Sequence, residues 1–325
     1  MATALTTLLS LPSVTLAPHA TPVDELGRLA AAIGAGVPRI LMKRDDLLSF
    51  GFGGNKVRKL QAVAAEAAAA GADTLVTCGG LQSNHARATA AAAAVLGMEA
   101  VLVLNGDAPD VPTGNLRLDG LFGARVRVVP GRDDRAPAME EEARRCHARG
   151  RRPFVVPLGA STVTGALGFA RAVGEVLSAG IRPDVIVHAS SSGGTQAGLV
   201  AGCALFGLRA RVIGVSADEP AAALGSTVGD LLAGMAERLG AKPATVGADR
   251  DLEVDDTQVG EGYGRPTPAS VEAATLLARR EGILLDPVYT AKAMAGLVAH
   301  VRAGRFAPGQ TVLFWHTGGQ PGYFA

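Results

Sequence analysis

Short apolar runs rich in β-branched residues alternate with alanine-rich stretches of helical period along most of this chain. The runs are RILMK (39–43), TLVTC (74–78), AVLVL (100–104), RVRVV (125–129), PFVVP (153–157), DVIVHA (184–189), ARVIGVS (210–216) and TVLFWH (311–316). Helical patterns fall between them, over 56–70, 84–97, 114–123, 135–149, 164–179, 195–206, 219–239, 268–281 and 290–303. Strands that are apolar on both faces and alternate with helices belong in parallel sheets covered on both sides. So many units exceed one comfortable sheet. The expected fold is therefore α/β, with two open, twisted, mostly parallel sheets flanked by helices. The boundaries are expected near LLSFGFGGN (47–55) and LGASTVTGALG (158–168). Residues 1–50 with 163–325 then form a large domain and residues 51–162 a small one.

Composition narrows the function classes. Of 325 residues 48% are hydrophobic and only 4% aromatic, so a packed core is built mainly from Ala, Val and Leu. A formal net charge of +1 and the absence of a long basic run argue against nucleic-acid binding. The alanine-rich stretches are interrupted by glycine or charge too early for a membrane span. Three cysteines, Cys78, Cys146 and Cys203, share no metal-ligand spacing. They suit a reduced, cytoplasmic compartment and imply no metal. The N-terminal stretch lacks a basic start and reads as mature protein rather than a signal peptide.

Five loops carry candidate chemistry. In SFGFGGNKVRKLQ (49–61), Lys56 follows Gly53, Gly54 and Asn55 at a helix start, where a cation is locally disfavoured. It is not a nucleotide P-loop, because Asn55 separates Gly54 from Lys56 and Val57 replaces the hydroxyl. On pattern alone the plainer reading, a surface lysine beside Arg58 and Lys59, is favoured. In DVIVHASSSGGTQAG (184–198), a buried strand runs through Ser192, Gly193, Gly194 and Thr195 into a helix. Free amides there make an anion cradle, and equally an ordinary capped turn. It is not a dinucleotide fingerprint, since the spacing differs and ARVIGVS ends in serine.

In TCGGLQSNHAR (77–87), Gln82, Ser83, Asn84 and His85 open a helix. Ser83 or Asn84 serves as a cap, but four polar side chains in a row exceed what capping needs. Tyr263 lies between glycines, and Tyr289 with Thr290 precedes a helix in LLDPVYTAKAMAG (284–296). A packed phenol is the ordinary reading of each tyrosine. His316 and Thr317 lead into Gly318-Gly319, a further polar loop, beside a core Trp315. Lys43, Arg44, Asp45 and Asp46 read as a local ion cluster.

A lysine on a turn, a distant phosphate cradle and tyrosines at strand ends together suit pyridoxal 5'-phosphate, whose aldehyde needs an amine and whose phosphate needs backbone donors. KRDDL with GGNKVRKL, QSNHAR, SSSGGTQAG, LLDPVYTAKAMAGL and HTGG resemble the D-cysteine desulfhydrase / 1-aminocyclopropane-1-carboxylate deaminase family from about residue 8 onward. The resemblance implies the tryptophan-synthase-β-like fold type II, with the cofactor in the large domain, and a homodimer. It implies that Lys56 holds the cofactor covalently, that Asn84 bonds its phenolic oxygen, and that Ser192 through Thr195 hold its phosphate. Thr290 would meet the pyridine nitrogen. Gln82, Ser83, His85, Tyr263, Tyr289 and Thr317 would face a small amino-acid substrate, with Lys56, Ser83, Tyr263 and Tyr289 in catalysis.

Thr290 and His85 resemble the desulfhydrase branch, where the deaminase branch has glutamate and glutamine. A hydroxyl makes the ring a weaker electron sink than a carboxylate does, which suffices when a thiolate leaves the β-carbon. The activity implied is α,β-elimination, D-cysteine going to pyruvate, hydrogen sulfide and ammonia. The alternatives are L-cysteate sulfo-lyase, another β-eliminating lyase, the deaminase, or a pyridoxal-phosphate binding protein without turnover. Gln196 departs from the histidine expected after Thr195.

Overall fold

The apolar runs pair into two sheets in the computed structural model, which describes residues 2–325. The smaller sheet contains β3 (Thr74–Gly80), β4 (Glu99–Asn105), β5 (Arg125–Val129) and β6 (Pro153–Val155). Its order is β5-β4-β3-β6 and every pairing is parallel. The larger sheet contains β1 (Val23–Glu25), β2 (Arg39–Arg44), β7 (Val185–Ser190), β8 (Arg211–Ser216), β9 (Glu253–Asp255) and β10 (Thr311–His316). Its order is β1-β2-β10-β7-β8-β9, parallel except for the antiparallel edge strand β1. All eight strands and nine helices expected from the sequence are present in outline.

Strand alternation divides the larger sheet between two cores. Leu41, Ile186, Val212 and Leu313 face one side, packing with the helices Val163–Ala170 and Gly194–Leu205. Met42, Val187, Ile213 and Phe314 face the other, packing with Pro268–Glu281 and Thr290–Arg302. Each such side chain contributes about 1.5–3 kcal/mol on burial.

Among the α-helices and strands, the sequence reading missed four. They are the helix Ala2–Ser10, β1, the helix Gly27–Ile33 and β9. The two strands are three residues long and partly charged, too short to show a period. The first helix is held by tertiary contacts, with Leu8 buried and its carbonyl bonded by Arg171. The helix expected over 164–179 divides into Val163–Ala170 and Ala172–Ser178. At the junction the Gly174 amide bonds Arg171 O, a tighter i→i+3 contact that interrupts the α pattern.

Close helix packing positions the site. A Cβ on Gly168 would lie 2.8 Å from the Arg58 carbonyl, and one on Gly198 2.8 Å from the Ala166 carbonyl. Glycine thus lets Asn55–Ala69 and Gly194–Leu205 approach the helix between them, which sets their N-termini side by side. A buried ion network anchors the first of these. Arg58 donates to both oxygens of Asp45 at 2.7 Å and to both of Glu175 at 2.6 and 2.9 Å. Lys43 also bonds Glu175, at 2.7 Å, and the Trp315 indole bonds Asp45 at 2.7 Å. The KRDDL cluster is therefore structural: it holds the helix that carries Lys56.

Candidate active site

Lys56 owes its place to backbone that only glycine tolerates well. Gly53 and Gly54 have φ of +64° and +95°. A Cβ on Gly54 would lie 2.8 Å from Thr317 O, and the Asn55 amide donates to that same carbonyl at 3.1 Å. The helix starts at Asn55, pressed against the Thr317–Gly318 loop. The half-buried Lys56 amine donates to Asn55 Oδ1 at 3.1 Å. Burial lowers its pKa to about 8; Asp286 opposes the shift and Arg87 adds to it. Burial resolves the conflict with the helix dipole, because the neutral amine becomes accessible near physiological pH.

The serine–glycine turn lies next to it. Asn55 Nδ2 donates to Thr195 Oγ1 at 2.8 Å, joining the lysine turn to the start of Gly194–Leu205. Gly193 has φ +75° and lets the turn enter that helix. Ser192 Oγ bonds Ser161 Oγ at 2.7 Å, and Ser161 Oγ also receives the Gly194 amide at 3.3 Å. The sequence reading missed Lys59 here. Its fully buried ammonium donates to Ser161 Oγ at 3.0 Å and to Gly159 O at 3.2 Å. Among the described residues no carboxylate lies within ion-pair distance of it. Burial, and then Lys56, push its pKa well down. A buried lysine without a counter-ion, beside a helix N-terminus, is an arrangement that an anion completes by favouring the charged amine. Its spacing of three residues from Lys56 puts it on the same helix face, but the sequence alone does not separate it from a basic surface turn.

The polar stretch after β3 divides its tasks. Ser83 is the N-cap of Asn84–Val95 and accepts from the Ala86 amide at 3.1 Å, which leaves its own proton free to donate. Asn84 Oδ1 accepts from Asn115 Nδ2 at 2.9 Å, so its amide NH2 remains as a donor. Gln82 is tied down: its Oε1 receives the Asn115 amide at 2.8 Å, and its Nε2 donates to Thr113 O. His85 is buried and bonds Thr77 Oγ1 through Nε2 at 2.7 Å. Thr77 gives its own proton to Val156 O, so His85 Nε2 carries the hydrogen. Burial holds the His85 pKa well below the usual histidine value. Asn115 is a second residue the sequence reading missed. Arg87, a third, reaches Gly53 O at 3.3 Å and ties this helix to the lysine turn.

Tyr263 and Tyr289 meet, their hydroxyls 2.5 Å apart and their rings edge to face. Burial raises the pKa of both. The Thr290 hydroxyl is engaged twice by Asp286: it donates to Oδ1 at 2.7 Å and accepts from the Asp286 amide at 2.8 Å. The Asp286 carboxylate also receives the amides of Val288, Tyr289 and Thr290, capping their helix. Gln196, in contrast, turns toward the edge of the larger sheet and donates to Glu253 O.

A buried amine of lowered pKa beside a serine–glycine turn backed by a second buried lysine is chemistry suited to a phosphorylated aldehyde. Pyridoxal phosphate would suit them: Lys56 would take its aldehyde, Lys59 with the 192–195 turn its phosphate, and the Asn84 amide NH2 its phenolic oxygen. The sequence profile of the family described as pyridoxal-phosphate dependent enzyme matches residues 14–318. The chain belongs to that family. It is 39% identical to a D-cysteine desulfhydrase of Klebsiella pneumoniae (strain 342), over 99% of this chain and 98% of that one. It is 40% identical to a D-cysteine desulfhydrase of Yersinia enterocolitica, over 98% and 97%. A crystal structure of an ACC deaminase homologue superposes with a TM-score of 0.91 at 37% identity, covering 100% of this chain and 97% of that one. No helix among the described residues is long and apolar enough to cross a membrane.

Proposed function

We propose that this enzyme is a β-eliminating lyase of small β-substituted amino acids, D-cysteine foremost, yielding pyruvate, hydrogen sulfide and ammonia with consumption of one water. The observation that carries this reading is the pairing of Lys56 with the Lys59-backed cradle, in a chain near 40% identical to D-cysteine desulfhydrases over its length. Bound there, pyridoxal phosphate supplies the electron sink for the carbanion formed at the α-carbon.

The residues divide the remaining work. The Lys56 amine, its basicity moderated by burial, takes the α-proton. Ser83, its lone pair occupied by the Ala86 amide, donates its proton to the substrate carboxylate. Asn84, oriented by Asn115, donates to the cofactor's phenolic oxygen. The tyrosine pair keeps its protons at neutral pH and hands one to the departing sulfur. Thr317 closes the substrate side, while Gln82 and His85 shape the wall through Asn115 and Thr77. Thr290 faces the ring nitrogen with its proton engaged by Asp286. Residues 51–162 act as a small domain against the remainder, and the functional unit is a homodimer, which light scattering tests.

Release of 2-oxo acid is to be compared among D-cysteine, L-cysteine, L-cysteate and 1-aminocyclopropane-1-carboxylate. D-Cysteine is expected to show the highest kcat/KM and to release sulfide in equal amount to pyruvate. Turnover of any of the others with no sulfide from D-cysteine would sink the substrate assignment. Lys59→Met is expected to weaken cofactor retention by roughly 10–100-fold, the worth of a charge-assisted hydrogen bond. Equilibrium dialysis measures it, and unchanged affinity would remove Lys59 from the phosphate site.

A further inference from the structure

We propose that the Lys292 ammonium is a built-in cation that organises the loop carrying Tyr263, making Lys292 a positioning residue for the tyrosine pair. Lys292 is fully buried in the first turn of Thr290–Arg302. Its ammonium donates to three backbone carbonyls: Ala217 at 2.9 Å, Val259 at 2.8 Å and Gly262 at 2.9 Å. An ammonium has three N–H donors, so its capacity is filled. Among the described residues no carboxylate lies within ion-pair distance; burial lowers its pKa, and Asp218, adjacent in sequence to Ala217, opposes that shift while the three carbonyls accept its protons.

This placement needs a reason. A cation in the first helical turn opposes the helix dipole, and burying it without an anion costs more. The carbonyls explain it. Val259 and Gly262 belong to a loop whose Gly260, Gly262 and Gly264 take φ of +60°, +117° and +74°. Such a loop has little stiffness of its own. Converging carbonyl dipoles repel one another unless a positive centre sits among them, the arrangement that oxygen-ligated metal ions satisfy elsewhere. Tyr263 follows Gly262 directly, and its hydroxyl meets Tyr289, three residues before Lys292. Arg132 covers the Tyr263 ring at 4.7 Å and pairs with Asp218 at 3.6 Å, closing the loop from the other side. One helix start thus presents Tyr289 and, through Lys292, sets the position of Tyr263.

The bearing of this loop on turnover rests on the lyase reading above; its order does not. The test compares cofactor-loaded wild type, Lys292→Met and Lys292→Arg by amide hydrogen exchange over 256–264. Steady-state kinetics are run in tetramethylammonium, potassium and ammonium chloride at equal ionic strength. Lys292→Met is expected to speed exchange in the loop by roughly tenfold or more and to lower kcat more than it raises KM. Potassium or ammonium restores part of both, and tetramethylammonium, too large for the site, restores neither. Wild type is indifferent to the salt, and Lys292→Arg keeps most of the loop's protection. Unchanged loop exchange in Lys292→Met overturns the proposal, and so does a wild type that requires potassium. A loosened loop with unaltered kcat overturns the positioning role while leaving the substrate assignment to its own assay. Should Lys292→Met not fold, loss of loop protection in Lys292→Arg is the overturning result.

Discussion

Replacing Lys56 with alanine is expected to abolish turnover, by about 10³-fold or more, and to remove the absorbance band of covalently held pyridoxal phosphate. On the proposed reading the side chain is the nucleophile for the cofactor and the base for the α-proton, and loss of a positioned general base alone costs roughly 10²–10⁴-fold. The fold should survive, because the amine makes one hydrogen bond, to the adjacent Asn55, and no ion pair among the described residues. Borohydride reduction and peptide mapping locate the adduct in wild type. An adduct on Lys59, or a Lys56→Ala protein that keeps the band, would overturn the assignment. In cofactor-free protein the Lys56 amine should titrate near pH 8 rather than in the ordinary lysine range, because burial disfavours its charge. Its acylation rate should therefore level off above that pH.

Arg58→Met is expected to cost about 3–5 kcal/mol of stability, the usual consequence of stranding one half of a buried ion pair. Asp45 is fully buried and would keep only Trp315 Nε1 and Thr21 Oγ1 as side-chain donors. Against a total of about 5–15 kcal/mol this is large, and a lower urea midpoint measures it. The pH dependence has a definite sign. Asp45 is itself penalised by desolvation, but Arg58 outweighs that and holds its carboxyl below the usual range. Its stabilisation is present above the unfolded carboxylate pKa of about 3.9 and is lost as pH falls through the lower folded value. Wild type and Arg58→Met should therefore converge in stability at acid pH. A gap that persists there would show that Arg58 acts through packing.

How much of the site was legible depended on what each residue does. Lys56, the 192–195 turn and the 82–85 stretch stand at glycine-marked strand–helix junctions, where local chemistry is visible in one dimension. Lys59 and Asn115 do not. Lys59 sits in what reads as a basic surface turn, and only the packing of Gly159–Ser161 over it makes it a buried cation. Asn115 is a plain residue at the start of Gly114–Leu121 until that helix lies against Gln82 and Asn84. Gln196 is the converse case: it follows Thr195 directly, yet its side chain turns away to Glu253 O.

Periodicity alone determined the α/β class, the parallel pairing and the eight main strands, because backbone hydrogen bonding and apolar burial impose periods that short runs already display. Tertiary structure alone decided which lysines are buried without a counter-ion, which tyrosines hydrogen-bond each other, and which polar residues face inward. Burial and electrostatic partnership depend on neighbours far apart in the chain, as Asn55 is from Thr195 and Lys292 from Val259. No local period encodes such neighbours, so charge state and chemical role emerge only when the helices close on one another.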